Sequence, residues 1–187
     1  MDTFFHIRMV LSIIMSLSVA HLLKGAVKII EHPKLSKPYW VHLLWGLYTF
    51  LMLIHFWWWE INLKDIHQWV FAEYFFVVCY IIMYYILCVL LFPDDISDYQ
   101  GYEDYFFSRR KWFFSAMALT LVADVVDTAL KGKEYMDKLG WEYPVRNASH
   151  VILCLIAIKV SNKKFHAILV ILFIVYELSW IYRRYNT

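Results

Sequence analysis

Gln68-Trp-Val-Phe-Ala-Glu-Tyr-Phe-Phe-Val-Val-Cys-Tyr-Ile-Ile-Met-Tyr-Tyr-Ile-Leu-Cys-Val-Leu-Leu-Phe92 decides the fold. The run carries one charge, Glu73, near its start. A helix crosses the roughly 30 Å hydrocarbon layer of a membrane in about 20 apolar residues, so this stretch is long enough to span. It is apolar throughout, whereas a strand of a membrane barrel alternates apolar and polar residues. Unpaired backbone groups are too costly in lipid for any form other than a helix or a closed barrel. The segment is therefore read as a membrane-spanning helix.

Working outward, five further stretches read the same way. The expected spans are about 4–30, 39–60, 68–92, 105–130, 145–161 and 164–183. The fifth has the shortest apolar centre, Val151 to Val160, flanked by His150 and Lys159. Composition agrees: 61% of the 187 residues are hydrophobic and the mean hydropathy is +0.51. A soluble domain is only about 45–50% apolar. The expectation is an all-α bundle forming one transmembrane domain over residues 1–187. The connectors fit these limits. Glu31 to Pro38 holds two prolines, Pro93 to Gly101 is acidic and turn-rich, and Lys131 to Pro144 is the longest polar link. Trp40, Trp57, Trp58, Trp59, Trp69, Trp112, Trp141 and Trp180 fall near span ends, where indoles anchor at the interface. Cys79, Cys88 and Cys154 lie within apolar runs and show no metal-binding or disulfide spacing.

The first span is read as retained. Ser18-Val19-Ala20 resembles a leader-cleavage site, but the preceding segment carries Arg8 as its only fixed positive charge, offset by Asp2. Six spans place ten of the Lys and Arg residues on the side opposite the N-terminus and eight on the N-terminal side. The excess marks the cytoplasmic side, so both termini are expected outside the cytoplasm. The weak overall charge of +2, without a basic face, argues against nucleic acid as a partner. Ala20-His-Leu-Leu-Lys-Gly25 resembles Asp127-Thr-Ala-Leu-Lys-Gly132, which suggests two inverted three-helix repeats.

Ionisable residues within spans point to function, because lipid tolerates them poorly. Thr120, Asp124, Asp127 and Lys131 follow helical spacing along one face of the fourth span. Chain parity places His55, Glu60, Glu73, Asp124, Asp127, His150 and Glu177 in the half of the membrane on the N-terminal side. At least three of His55, Glu73, Asp124, Asp127, His150 and Glu177 are expected to border one polar cavity centred on Asp124. Asp127, one turn nearer the surface, is expected to tolerate change better. His55, His150 and Asp124 are candidate metal ligands. In the opposite half lie His21, His42, His166 and the run Arg109-Arg110-Lys111, whose side chains suit anionic lipid headgroups. Asn147-Ala-Ser149 matches a glycosylation acceptor but sits at the membrane edge.

This pattern suits a cation channel or transporter, with an acidic and histidine-lined site and a homo-oligomeric bundle in the lipid bilayer. Three other readings stay open. Histidines on facing helices could hold b-type haem or a redox metal. Mixed His and carboxylate ligands could serve a metal-dependent membrane enzyme, although neither HExxH nor GxSxG is present and no catalytic motif is found. The chain could also be a structural or regulatory membrane subunit.

Tyr39-Trp-Val-His-Leu-Leu-Trp-Gly46, His55-Phe-Trp-Trp-Trp59 and Tyr105-Phe-Phe-Ser-Arg-Arg-Lys-Trp-Phe-Phe114 together resemble small uncharacterised bacterial inner-membrane proteins. The resemblance covers roughly the first four spans. It implies a bacterial polytopic protein and no particular activity.

Overall fold

The computed structural model describes residues 3–66 and 68–185. Among these, every regular element is helical. Helix α1 covers Thr3–Glu31, α2 is the single turn Pro33–Ser36, and α3 covers Trp40–Trp59 and runs on into a 3₁₀ segment, Glu60–Asp65. Then come α4 (Phe71–Leu91), α5 (Tyr102–Leu130), the short α6 (Lys133–Leu139), α7 (Glu142–Lys159) and α8 (Lys163–Tyr185).

Local chemistry sets several of the boundaries. Glu73 accepts the Val70 N–H at 3.2 Å and so closes the first turn of α4. Gly101, at φ 142°, turns the chain into α5, whose first turn carries Glu103 and Asp104 near the positive end of the helix dipole. Asn162 caps α8, its Oδ1 accepting from the Lys164 and Phe165 N–H groups at 2.8 and 3.2 Å.

Five helical segments are long and apolar enough to cross a membrane: Phe4–Glu31, Trp40–Lys64, Phe71–Leu91, Tyr102–Leu130 and Lys163–Tyr185. The chain is thus a helical protein of the membrane-spanning class. The fifth expected span is a helix, α7, but falls short of that standard. Its 18 residues include Glu142, Arg146 and Lys159.

The long helices alternate in direction. At one end, the last residues of α3, α5 and α8 meet the first residues of α7: Lys131 reaches Glu60, Tyr143 reaches Asp124, and His55 reaches Glu177. At the other end, His21 Nε2 lies 2.7 Å from the Phe92 carbonyl, the Tyr102 N–H donates to the Lys37 carbonyl at 3.3 Å, and Lys163 pairs with Glu103. We call the first end, which also holds the start of α1, the N-terminal end.

The core is aromatic. Trp45 meets Tyr48, Phe113, Phe114 and Phe173 edge-on, with ring centroids 5.1–5.6 Å apart, the arrangement that ring quadrupoles favour. Phe92, just past α4, wedges between two glycines. A Cβ on Gly25 would lie 2.2 Å from its ring, and one on Gly46 would lie 3.2 Å from the far edge. Hydrogen atoms at these positions let α1 and α3 close on the ring. The outward faces carry large apolar side chains such as Ile13, Leu17, Phe75, Leu172 and Val175, which suit acyl chains.

The suspected internal repeat does not survive as a structural one. Gly25 lies inside α1 against Phe92, whereas Gly132 follows α5 at φ 99° with open space around it. Packing differs too: α1 lies mainly on α4 in the first half, while α5 lies mainly on α7 in the second.

Candidate functional site

The polar interior is concentrated at the N-terminal end of the bundle, in two adjoining clusters. Arg146, near the start of α7, organises the first. Its Nη2 lies 3.6 Å from Asp124 Oδ2 on α5, and its Nη1 lies 3.9 Å from Glu177 Oε2 on α8. The guanidinium sits 4.9 Å from the Trp180 ring centre and 5.6 Å from that of Tyr143, so aromatic faces shield it from solvent.

Asp124 takes three hydrogen bonds from neutral donors: the Tyr143 hydroxyl at 2.8 Å, Asn147 Nδ2 at 3.1 Å and the Tyr80 hydroxyl at 3.2 Å. The single Tyr143 proton goes to the carboxylate, the stronger acceptor. Thr128, whose hydroxyl oxygen lies 2.7 Å from that of Tyr143, then donates to it. Tyr84, 3.5 Å from the Tyr80 hydroxyl, extends this chain inward along α4. Glu177 Oε1 lies 2.5 Å from His55 Nδ1, and His55 Nε2 lies 3.2 Å from the Tyr185 hydroxyl. With Nδ1 donating to a carboxylate, Nε2 accepts from the Tyr185 hydroxyl.

The second cluster lies one turn further along α5. Lys131 donates to Glu60 Oε1 at 2.8 Å and to Asp127 Oδ2, while its ammonium lies 5.6 Å from the Trp59 ring and 5.9 Å from that of Tyr135. Both carboxylates are buried. Together the two clusters hold the carboxylates Glu60, Asp124, Asp127 and Glu177 against the fixed cations Lys131 and Arg146. Carboxyl groups therefore outnumber fixed cations.

A cavity of about 20 Å³ opens beside the first cluster, lined by His55, Asp124 and Arg146 with Met52, Phe56, Trp59 and Tyr84. That is room for about one water molecule. Asp124 keeps 17% of its side chain exposed, the most accessible carboxylate of the four.

Several expectations need correction. Asp127 is more deeply placed than Asp124, with 0% exposure, because α6 and the end of α3 cover the end of α5. Glu73 does not join the site; its carboxylate is engaged in capping α4. His150 turns away: Nδ1 bonds the Arg146 carbonyl at 2.8 Å and the ring packs on Phe173 at 4.4 Å. Only His55 and Asp124 of the six expected residues line the cavity, with Glu177 one contact behind through His55 and Arg146. His55, His150 and Asp124 do not converge as metal ligands, and among the described residues no three His, Cys, Asp or Glu side chains do so. At the other end, His166 bonds the Val160 carbonyl and His42 is enclosed by Phe92, Tyr102, Tyr105 and Phe106. Arg109 donates to the Tyr99 hydroxyl and Arg110 to the Phe107 carbonyl, while Lys111 is exposed. Trp59 and Trp180 are not interfacial anchors; both are buried over cations of the network.

At the rim, Arg183 forms a forked pair with Glu142 at 2.6 and 2.8 Å, and Tyr176 donates to the same carboxylate at 2.8 Å. These hydrogen bonds hold the Glu142 carboxyl down at about 2. Its stabilising contribution is complete above the ordinary carboxylate range and is lost as pH falls through that value.

Arg146 was the residue the sequence concealed. Its one sequence signal is the polar stripe Tyr143, Asn147 and His150 on α7, the same feature that shortens the fifth apolar run. No protein-family model, curated protein or solved structure matches the chain.

Proposed function

We propose that this chain is a six-span membrane protein, α7 being the additional span, that takes up a cation at the Asp124 site and passes it across the bilayer. The observation that carries the reading is the placement of Asp124. It is a partly exposed carboxylate on a water-sized cavity, inside a network whose carboxyl groups outnumber its fixed cations. Such a network concentrates cations at its mouth. The charges on α7 are compatible with a span because Arg146 faces partners in the bundle interior and Glu142 lies at the rim. A cavity with room for about one water suits a gated carrier better than an open pore. We place the protein in a bacterial inner membrane with both termini outside the cytoplasm, in keeping with the excess of basic residues on the opposite side.

The test is cation flux into liposomes holding the purified protein, measured for H⁺, Na⁺ and K⁺ under an imposed potential. Asp124→Asn should lose most of the flux while remaining folded. Glu103→Gln, at the opposite end, should keep it. Equal losses in both variants would point to general surface charge rather than a dedicated site, and an absence of flux in the unmodified protein would end the transport reading.

A further inference from the structure

The Glu60–Lys131–Asp127 cluster has a charge problem that its own contacts do not solve. Lys131 donates to one oxygen of each carboxylate, Glu60 Oε1 and Asp127 Oδ2. The outer oxygens, Glu60 Oε2 and Asp127 Oδ1, are buried and have no donor. The shared Lys131 ammonium brings the two carboxyl groups together. Two carboxylates on one ammonium leave a full negative charge in a region of low dielectric, and burying such a charge without a partner is strongly unfavourable.

The other polar groups around the pair do not supply the missing charge. Asp124 is a further anion on the same helix, one turn away, and is already satisfied by Tyr80, Tyr143 and Asn147. Tyr135 contributes a ring face to Lys131, and its hydroxyl, which accepts from Asn62 Nδ2 at 3.3 Å, is neutral and adds no charge. Arg8 and Lys64 border the cavity of about 300 Å³ between α1 and the end of α3 that reaches Glu60, but both are exposed and ion-pair with neither carboxylate. A metal ion would have to approach the outer oxygens beside the Lys131 ammonium, and no third ligand of the usual kinds is near among the described residues. A proton needs no room. Placed on one outer oxygen it removes the excess charge and turns an orphaned acceptor into a donor.

Resting on the reading of this end of the bundle as a cation site, we infer that Glu60 and Asp127 share one bound proton, and that the cation held here is H⁺. The proton comes from hydronium in the Glu60-lined cavity, leaving water behind. It becomes the O–H of one carboxyl while the partner stays ionised against Lys131, and on release it returns to water.

The experiment is infrared spectroscopy of the full protein in lipid at neutral pH, in H₂O and in D₂O. One protonated carboxylic acid should give a carbonyl stretch that shifts in D₂O and disappears in both Glu60→Gln and Asp127→Asn. Each substitution removes one partner of the pair and leaves the other ionised on Lys131. A spectrum of the unmodified protein without such a band overturns the inference, whether or not the variants fold. A band that persists in either folded variant also overturns it. The flux assay separates this from the transport reading. Asp124-dependent movement of Na⁺ or K⁺ with no carboxylic-acid band would sink the proton site and leave a cation carrier. A band with the expected sensitivity and no flux of any ion would support the proton site and end the transport reading.

Discussion

Arg146→Met should destabilise the bundle by about 3–5 kcal/mol, the usual penalty for removing one member of a buried ionic cluster. The thioether fills much of the space left by the arginine stem but leaves Asp124 and Glu177 without their shared cation. It also removes the charge stacked on Trp180. Thermal unfolding in detergent micelles, followed by circular dichroism, measures the loss. Arg146→Lys should recover only part of it. A lysine at 146 is shorter and lacks the planar fork whose separate nitrogens reach Asp124 and Glu177 while its face lies on Trp180. A Met variant as stable as the parent would mean that the guanidinium is hydrated and not buried as described.

Lys131→Met is expected to lose a similar amount, about 3–5 kcal/mol, for a related reason. Among the described residues the lysine is the one cation touching both Glu60 and Asp127, and its own side chain is almost fully enclosed, with Trp59 and Tyr135 beside it. Without it, two buried carboxyl groups face each other with no counter-charge. Adding Asp127→Asn to the same protein should restore part of the stability, because the amide can donate to Glu60 and the site no longer has to hold two carboxyl groups on a shared proton. The comparison of single and double variants by chemical unfolding checks this. If the second substitution gives no recovery, the loss comes from packing and not from charge.

Much of the fold was legible because lipid imposes few choices. Continuous apolar runs had to be helices, and the limits read from sequence lie within a few residues of the helix ends, as in 105–130 against Tyr102–Leu130. Span parity groups the correct ends: His55, Asp124, Asp127 and Glu177 share one end of the bundle. Which faces meet was not legible. Arg146 meets Asp124 and Glu177 through packing between three helices, and no local spacing encodes that. Glu73 carried the charge of a site residue but makes a local bond to Val70, a pairing three residues apart that competes with any distant role. Trp59 and Trp180 had the positions of interfacial anchors, yet each lies over a buried cation, because an aromatic face can offset part of a charge's lost hydration.

The account turns on whether Asp124 and Arg146 act as one unit inside the bundle. A double-mutant cycle reads this directly: Asp124→Asn, Arg146→Met and the double variant, each unfolded under the same detergent conditions. The predicted result is a coupling energy of about 1–3 kcal/mol, with the double variant more stable than the sum of the single losses implies. Additivity to within about 0.5 kcal/mol would contradict it, since groups that do not interact add to within that margin.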